Sequence, residues 1–446
     1  MRNSLRGFSV GLAAVVLMSA SLASAGTLDD VRKRGHLICG INTGLVGFAA
    51  PDDKGVWKGF DVDVCRAVAA AVFGDANKLK YKHLTGKTRF TALRSAEIDM
   101  LSRNTTWTFS RDVDLQLTFV GVNYYDGQGF MAPKKLGVKS AKDLAGASVC
   151  IQTGTTTELN LADYFRANNM KYEPVPIETN TEARTNYLAG RCDVYTTDRS
   201  GLAATRAATD NPDAHVVLPE IISKEPLGPL VRHGDDQWAD IVRWSLNAMI
   251  AAEEMGVSSK NVKAMASKEN KNKEVNRLLG VEELQGRERL GLSKDWAVNV
   301  IAQVGNYGEV FEAHLGTKTP IGLARGLNAQ WTDGGLLYAP PFPVERDGLH
   351  NIVSRMEPVS AWTRHRHSIR RTPYGYSVSR TGSQEPRSRR TATTRGQAAA
   401  RDLLQTGGIR TSLPMNFLAR NSSCAWPMSL SGNVFATIGR ISPRSM

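Results

Sequence analysis

Beyond Ala25 this sequence lacks any long run of apolar residues, and the whole chain of 446 residues holds only five cysteines. A membrane-spanning helix needs about 20 apolar residues in succession, so the chain after Ala25 is expected to be soluble. The eight histidines show no spacing typical of metal ligands, and no phosphate-binding glycine motif or nucleophile elbow can be assigned. We therefore expect no metal ion and no cofactor.

The N-terminal stretch, Met1 to Ala25, has the pattern of a secretory signal. Arg2 and Arg6 precede a short apolar core, and the stretch ends in the small residues Ala23, Ser24 and Ala25. Signals of this type are cleaved on export. The sequence therefore predicts a signal peptide over residues 1–25 and an exported mature protein.

Positive charge is concentrated at the two ends of the chain rather than in its middle. Of the formal charge of +13, the 16 arginines and five acidic residues within residues 343–446 supply +11, and the stretch from Met1 to Ala25 supplies +2. Residues 26–342 are therefore neutral overall. A neutral body argues against a nucleic-acid partner.

The C-terminal tail, residues 343–446, contains no lysine, has few aliphatic residues and shows neither helical nor alternating periodicity. Such a composition does not support a packed core. Three interpretations remain open: a disordered basic arm, a small extra domain, or translation of a shifted reading frame. We favour the last and expect the tail to have no function.

Along most of the body, strand-like and helix-like segments alternate, which is typical of a parallel sheet covered by helices. In one predicted helix Val64, Val68, Ala71 and Val72 fall on a single apolar face. The Gly- and Tyr-rich stretch "NYYDGQGFMAP" interrupts the alternation, which then restarts. The sequence predicts an α/β protein with two lobes.

Four of the five cysteines lie in the body. An even number in an exported protein favours disulfides, and four cysteines allow three pairings. Cys39 lies on the first predicted strand and Cys65 on the helix that follows it, whereas Cys150 and Cys192 lie on two predicted strands of the other lobe. We predict the pairs Cys39–Cys65 and Cys150–Cys192, with buried free thiols as the alternative.

Three polar stretches follow the carboxyl ends of predicted strands, the edge at which open α/β sheets bind ligands. In "LSRNTTWTFSRD", Arg111 can bind a carboxylate through two parallel hydrogen bonds. Thr155 and Thr156 open a helix whose free N–H groups favour an anion. Asp198 can accept from a cation. Together these groups suit a free amino acid, which carries both charges.

Each of these signals also has a purely structural explanation. Arg111 could pair with Asp112 at the surface. Thr155 and Thr156 could serve only as helix caps, and Asp198 could cap the helix that follows it. The residue pattern alone leaves both sets of explanations open.

Longer stretches of the body resemble a known protein family. The segments "GFDVDVCRAVAAAVFG", "GVNYYDGQGFM", "GASVCIQTGTTTELNLADYFRANNMKY" and "GRCDVYTTDRSGL" are similar to periplasmic solute-binding proteins of polar amino acid ABC transporters. The similarity is strongest to the general L-amino-acid-binding subgroup, and it covers residues 27–342.

The resemblance implies a two-lobed periplasmic binding protein fold of type II, with the ligand in a cleft between the lobes. The first lobe would comprise residues 26–125 and 226–342, and the second lobe would comprise residues 126–225. Two crossing segments, near residues 124–127 and 223–228, would form the hinge.

The resemblance also implies roles for individual residues. Arg111 falls on the position that binds the ligand carboxylate, and Thr106 falls on the position beside it. Thr156 matches the second-lobe threonine, and Asp198 matches the aspartate that binds the ammonium group. The complete expected set of ligand-binding residues is Asn42, Asn104, Thr106, Arg111, Thr155, Thr156 and Asp198.

Two departures from the family pattern concern the ligand side chain. Asn42 stands where members selective for cationic side chains have an aspartate, and Leu45 stands where they have an aromatic ring. These departures favour a pocket that holds the common backbone atoms firmly and the side chain loosely. The roles of Arg103, Asn104 and Trp107 are left open.

The function implied by the resemblance is to bind free L-amino acids of broad side-chain type in the periplasm and to deliver them to the permease of an ABC transporter. A monomer without enzymatic activity is expected. The alternative is a periplasmic dehydratase or lyase on the same fold, but the motifs provide no obvious spare carboxylate to act as its acid. A receptor ectodomain would need a membrane span after the lobes.

Overall fold

The fold is described for residues 26–343 in a computed structural model of the chain. The predicted signal peptide, residues 1–25, and the tail from residue 344 onward lie outside the described residues. Within the described part, no helix has the length and apolar character needed to cross a membrane.

Strands and helices are numbered separately along the chain. The strands are β1 (Leu37–Asn42), β2 (Ala50–Pro51), β3 (Trp57–Lys58), β4 (Leu79–Leu84), β5 (Met100–Leu101), β6 (Leu117–Phe119), β7 (Tyr124–Pro133), β8 (Ser148–Gln152), β9 (Glu173–Ile177), β10 (Val194–Asp198), β11 (His215–Val217), β12 (Ser223–Leu227) and β13 (Leu230–Arg232).

The α-helices are α1 (Thr27–Arg34), α2 (Phe60–Phe73), α3 (Arg89–Arg94), α4 (Phe109–Val113), α5 (Thr156–Ala167), α6 (Asn180–Leu188), α7 (Arg199–Ala207), α8 (Asp236–Glu254), α9 (Val262–Ala266), α10 (Lys273–Leu278), α11 (Arg287–Leu290), α12 (Trp296–Gln303) and α13 (Tyr307–His314). Short 3-10 helices lie at Lys134–Leu136, Ala141–Leu144, Pro212–Ala214, Gly326–Asn328 and Trp331–Asp333.

The first sheet has five strands in the order β4-β1-β5-β13-β6. Strand β1 runs parallel to β4 and to β5. Strand β13 is antiparallel to β5 and β6, because it enters this sheet directly after the chain returns from the second sheet. The sheet is therefore mixed, with parallel pairing among β4, β1 and β5 and antiparallel pairing at β13. We name the part built on this sheet lobe 1.

The second sheet has the order β11-β7-β10-β8-β9, and β12 pairs with β7. Strand β8 runs parallel to β9 and β10. Helix α5 connects β8 to β9, and α6 connects β9 to β10, so these strands and helices form the predicted alternation. Strand β7 is antiparallel to β10, β11 and β12. We name the part built on this sheet lobe 2.

The two segments that connect the lobes lie side by side. The start of β7, from Tyr124 to Gln128, pairs antiparallel with the whole of β12. Just after β12, a Cβ atom on Gly228 would lie 2.0 Å from the carbonyl oxygen of Gly121. Only glycine allows this close approach of the two backbones. The paired segments are the two crossings predicted for the hinge.

Helix α2 is buried on most sides because neighbouring elements cover it. Val64, Val68 and Ala71 are buried as predicted, and Val72 is partly buried. Helices α8 and α12, which follow the second crossing, pack against α2. The C-terminal part of the described chain thus completes the core of lobe 1, where Trp238 and Trp296 are among the largest fully buried side chains.

Two short elements differ from the prediction. The segment after Ser140 is a single 3-10 turn rather than an α-helix, because the chain turns at Gly146 with a φ of 81°. Ser140 caps this turn, as predicted. Cys192 lies just before β10 rather than in it.

Both predicted disulfides are present in the structure. Cys39 on β1 is bonded to Cys65 on α2, with their Cα atoms 6.1 Å apart. Cys150 on β8 is bonded to Cys192, with their Cα atoms 5.6 Å apart. All four cysteines are buried, and each bond lies within one lobe.

Loss of the lobe 2 disulfide is expected to destabilise the protein. In the double variant Cys150→Ser, Cys192→Ser, the free energy of unfolding should fall by about 2–5 kcal/mol, since the bond closes a loop in the unfolded chain. Urea denaturation followed by circular dichroism measures this difference. Cys424→Ser is the matched control and should leave the midpoint unchanged; an unchanged midpoint in the double variant would contradict the prediction.

Candidate functional site

A small polar cavity lies between the two lobes. Its walls come from the segment after β5 and the start of α3 on one side, and from the ends of β8 and β10 and the start of α5 on the other. The lining residues are Arg89, Arg103, Asn104, Thr106, Gln152, Thr155, Thr156, Thr157, Thr197 and Asp198. Five of the seven predicted ligand-binding residues are in this lining.

Side chains from the two lobes contact each other across the cavity. The hydroxyl oxygens of Thr106 and Thr156 are 3.2 Å apart. The amide of Asn104 donates to the Asp198 carboxylate at 3.5 Å. At the edge of the cleft, Lys87 forms an ion pair with Glu178 at 2.9 Å. The lobes are therefore closed on each other.

Arg111 lies beside the cavity rather than in its lining. Its side chain is 7% exposed, and its guanidinium donates from Nη1 to the Thr106 carbonyl at 2.8 Å and lies 5.1 Å from the centre of the Phe90 ring. Burial lowers the pKa of Arg111 to about 10, although Glu225 and Asp198 oppose that shift. The alternative surface pair is absent from the described residues, since Asp112 accepts from Trp107 instead.

Glu225 is the main site residue that sequence reasoning missed. It lies in the hinge strand β12 with no exposed surface. Its Oε2 accepts hydrogen bonds from the hydroxyls of Thr106 and Thr156, and its Oε1 accepts from Asn160 at 2.8 Å and from Ser223 at 2.6 Å. The only signal in the sequence was an acidic residue within a short strand-like segment, "SKEPL".

The bonds to Glu225 restrict what the two threonine hydroxyls can do. A hydroxyl has one proton, and in both Thr106 and Thr156 that proton points to Glu225. In this arrangement the hydroxyls can accept from a ligand but cannot donate to its carboxylate. Donors to a carboxylate must then come from groups other than these two hydroxyls, which revises the expected role of the hydroxyl of Thr106.

Asp198 ends strand β10 and is buried. It occupies the N-cap position of α7 but makes no capping hydrogen bond, so the structural alternative proposed for it is wrong. Burial raises the pKa of Asp198 well above its usual value, and Asp126 and Glu225 raise it further. A cation bound beside it would favour the carboxylate form.

Thr155 does act as a helix cap. Its hydroxyl oxygen accepts from the backbone N–H of Glu158 at 3.3 Å, and the hydroxyl donates to the Gln152 carbonyl at 2.6 Å. For this residue the structural explanation is confirmed. Thr155 also lines the cavity, so its side chain orders the start of α5 at the site.

The side chain of Asn42 forms hydrogen bonds with other protein groups. From the end of β1 its amide donates to Asn104 and to Asn180 of lobe 2, each at 3.0 Å, and its oxygen accepts from the Gly44 N–H at 3.1 Å. It therefore links lobe 1 to lobe 2 at the carboxyl end of β1. Leu45 is buried nearby in the core of lobe 1.

The loop between β5 and α4, which carries Asn104 and Thr106, is stabilised by a buried carboxylate. Asp61, on α2, accepts from the backbone N–H of Asn104 at 2.8 Å and from the Ser102 hydroxyl at 3.4 Å. Asn104 has a φ of 27°, a strained value that asparagine tolerates better than most residues. Burial raises the pKa of Asp61 to about 6, and the bond from Asn104 opposes that shift.

The hinge strand also holds this loop through its backbone. The Trp107 N–H donates to the Pro226 carbonyl at 2.8 Å, and the Gly228 N–H donates to the Thr105 carbonyl at 3.0 Å. The segment that carries Thr106 therefore lies directly against β12. Two lobes that close over a buried, charged cavity beside a hinge define a ligand-binding protein of the periplasmic type.

The comparison with known families agrees with that class. The family "Bacterial extracellular solute-binding proteins, family 3" matches residues 37–261. This chain belongs to that family, as the sequence resemblance predicted. Helices α9 to α13 lie beyond the matched residues.

Close relatives extend the match over the described body. The chain is 62% identical over 342 residues to the glutamate/glutamine/aspartate/asparagine-binding protein of Rhodobacter capsulatus, covering 77% of this chain and all of that one. It is 58% identical over 342 residues to the general L-amino acid-binding periplasmic protein of Rhizobium johnstonii, covering 76% and 99%. These relatives support the predicted general L-amino-acid-binding subgroup.

A solved structure supports the two-lobed fold. It is an ABC transporter periplasmic binding protein from Brucella ovis with glutathione bound, 58% identical to this chain, with a TM-score of 0.69. The match covers 72% of this chain and all of that protein. The predicted α/β, two-lobed fold class is confirmed.

The buried carboxyl group of Asp61 predicts a pH dependence of stability. Because its pKa in the folded protein, about 6, exceeds the usual value of 3.8, the folded state binds a proton more tightly than the unfolded state. The contribution of Asp61 to the free energy of unfolding is fully present below pH 3.8 and is lost as the pH rises to about 6. The loss is on the order of 3 kcal/mol.

Asp61→Asn should remove this part of the pH dependence. Urea denaturation between pH 4 and 7 (about one-unit steps) compares the slopes of unfolding free energy against pH. Asp53→Asn, at an exposed position, is the control and should follow the original slope. An Asp61→Asn slope equal to the original one would show that Asp61 is not the group responsible.

Proposed function

We propose that this protein binds free L-amino acids of broad side-chain type in the periplasm and delivers them to the permease of an ABC transporter. The observation that carries the proposal is the polar cavity lined by residues of both lobes, with Arg111 beside it and Asp198 in its wall. The names of the relatives from Rhodobacter and Rhizobium, which refer to amino acid binding, support it.

In the proposed complex, the two charges of the amino acid meet opposite charges on the protein. The ligand carboxylate lies between Arg111 and the first N–H groups of α5. The ligand ammonium group donates to Asp198 and to the hydroxyl oxygens of Thr106 and Thr156. Charge-assisted hydrogen bonds contribute about 1.5–3 kcal/mol each, so a few of them account for the roughly 8 kcal/mol of micromolar binding.

The proposed transport cycle uses the hinge. Lobe 1, proposed as residues 26–125 and 226–342, binds the ligand first, and lobe 2, proposed as residues 126–225, closes on it by rotation at the two crossings. The closed form is recognised by the permease. We propose that the protein acts as a monomer and that residues 1–25 direct it to the periplasm.

A binding function is preferred to the lyase alternative because of how the cleft carboxylates are used. Glu225 is a buried carboxylate in the cleft, so the motif argument against the lyase was incomplete. However, both oxygens of Glu225 already accept hydrogen bonds, and Asp198 is assigned to the ligand ammonium group. In the proposed binding mode both carboxyl groups therefore already have partners.

Arg111→Ala is expected to abolish binding of every L-amino acid, because it removes the cation for the group that all of them share. Isothermal calorimetry with glutamate, glutamine, alanine, leucine and lysine measures the loss. Arg166→Ala, at an exposed position in lobe 2, is the control and should bind as the original chain does. Loss for only some amino acids would contradict the assigned role of Arg111.

The same protein also tests the enzyme alternative. Incubation with prephenate or arogenate should leave both compounds unchanged, as measured by chromatography. Formation of product by the original chain, together with a lack of amino acid binding, would favour the lyase.

The tail is expected to play no part in recognition. A chain ending at Phe342 should bind each amino acid with the same dissociation constant as the full chain, because every proposed ligand contact comes from residues before 343. Parallel calorimetric titrations of the two proteins measure this. A clear difference in affinity between them would mean that the tail contributes to binding.

A further inference from the structure

Helix α7 begins directly after Asp198, but Asp198 does not cap it. An aspartate at the N-cap position usually accepts a hydrogen bond from the N–H group of the second or third residue of the helix. Among the residues that the structure describes, Asp198 accepts no such bond. Its carboxylate accepts instead from the Asn104 amide, across the cavity, at 3.5 Å. The first N–H groups of α7 therefore need a different acceptor.

That acceptor is Asp126, which lies on the hinge strand β7. The N–H group of Ser200, the second residue of α7, lies 3.3 Å from one carboxylate oxygen of Asp126 and 3.4 Å from the other. Because Ser200 is buried, its N–H group requires a partner from the protein. The partial positive charge at the start of a helix also favours a carboxylate at this place.

The register of the second sheet explains how Asp126 reaches the start of α7. Strand β7 pairs antiparallel with β10, and Gln128 lies opposite Asp198 at the end of that pairing. By the same register Ser200 falls opposite Asp126, two residues further along. Side chains alternate along a strand, so Asp126 points to the same face of β7 as Gln128. Helix α7 packs against β7, which brings Ser200 to the carboxylate.

The position of Asp126 is unfavourable in one respect. Strand β12 places Glu225 directly across from Asp126, and like charges at such a pair destabilise a sheet. Burial and, to a smaller extent, the charge of Glu225 raise the pKa of Asp126 to about 6, whereas the hydrogen bonds from Ser200 lower it. The contact with the start of α7 therefore offsets part of the cost of placing a carboxylate there.

We infer that Asp126 is a positioning residue: by capping α7 it leaves the carboxylate of Asp198 available at the cavity, where the ammonium group of an amino acid would bind. Without Asp126, the residue best placed to cap α7 is Asp198 itself, since it already occupies the N-cap position. Its carboxylate would then bind the helix rather than the ligand. This inference rests on the proposed contact between Asp198 and the ligand ammonium group.

Two substitutions of Asp126 separate this role from a purely electrostatic one. Both Asp126→Ala and Asp126→Asn remove the negative charge, but only the asparagine keeps an oxygen that can accept from Ser200. Calorimetry on the full chain with L-alanine and L-leucine measures the effect. Binding of both should weaken at least about fivefold in Asp126→Ala, which corresponds to the usual strength of a helix cap, and should change less than about twofold in Asp126→Asn.

Asp210→Ala is the matched control, because Asp210 is exposed shortly after the end of α7, and it should change neither affinity. Equal affinities in the alanine and asparagine variants of Asp126, whether weakened or unchanged, would overturn the inference, because only the alanine variant lacks the capping oxygen. Absence of amino acid binding by the original chain would instead refute the proposed function.

A measurement on the original chain keeps the inference testable if Asp126→Ala does not fold. The amide proton of Ser200 should change its NMR chemical shift as Asp126 titrates near pH 6, because the two groups are hydrogen-bonded. The change should be absent in Asp126→Asn. A Ser200 amide proton that does not respond to pH, or that responds equally in Asp126→Asn, would show that Asp126 does not cap α7.

Discussion

The arrangement of the cleft depends on the buried carboxylate of Glu225. A carboxylate without exposed surface is strongly destabilising unless donors surround it. Here the donors come from Thr106 of lobe 1, from Thr156 and Asn160 of lobe 2, and from Ser223 in the hinge strand itself. The strand that carries the chain back between the lobes therefore also aligns the walls of the cavity.

Strand β12 also fixes the position of the polar loop of lobe 1 that carries Asn104 and Thr106. Backbone hydrogen bonds from Trp107 and Gly228 join that loop to β12 and its end, and Asp61 holds it from the opposite side at Asn104. A loop fixed on two sides can keep an asparagine in a strained backbone conformation.

Part of the site could be predicted from the residues that follow the carboxyl ends of predicted strands. Thr156 and Asp198 follow predicted parallel strands, and the carboxyl ends of such strands meet at one edge of a sheet. Glu225 and Arg89 could not be found in this way. In the sequence Arg89 resembles an ordinary helical arginine, and only the structure places it, buried and bonded to Thr105, in the wall of the cavity.

The sequence by itself determined the α/β class, the two-lobed family and the pairing of the cysteines, because these follow from local periodicity, chain order and extended motifs. Only the tertiary structure decided which polar groups form hydrogen bonds with one another. Glu225 lies 119 residues from Thr106 and 69 from Thr156 along the chain, and a hydrogen bond between such distant residues is formed only when both lobes and the hinge are assembled. The hydroxyls of Thr106 and Thr156 are bonded to Glu225 for this reason, and no local pattern in the sequence predicts that arrangement.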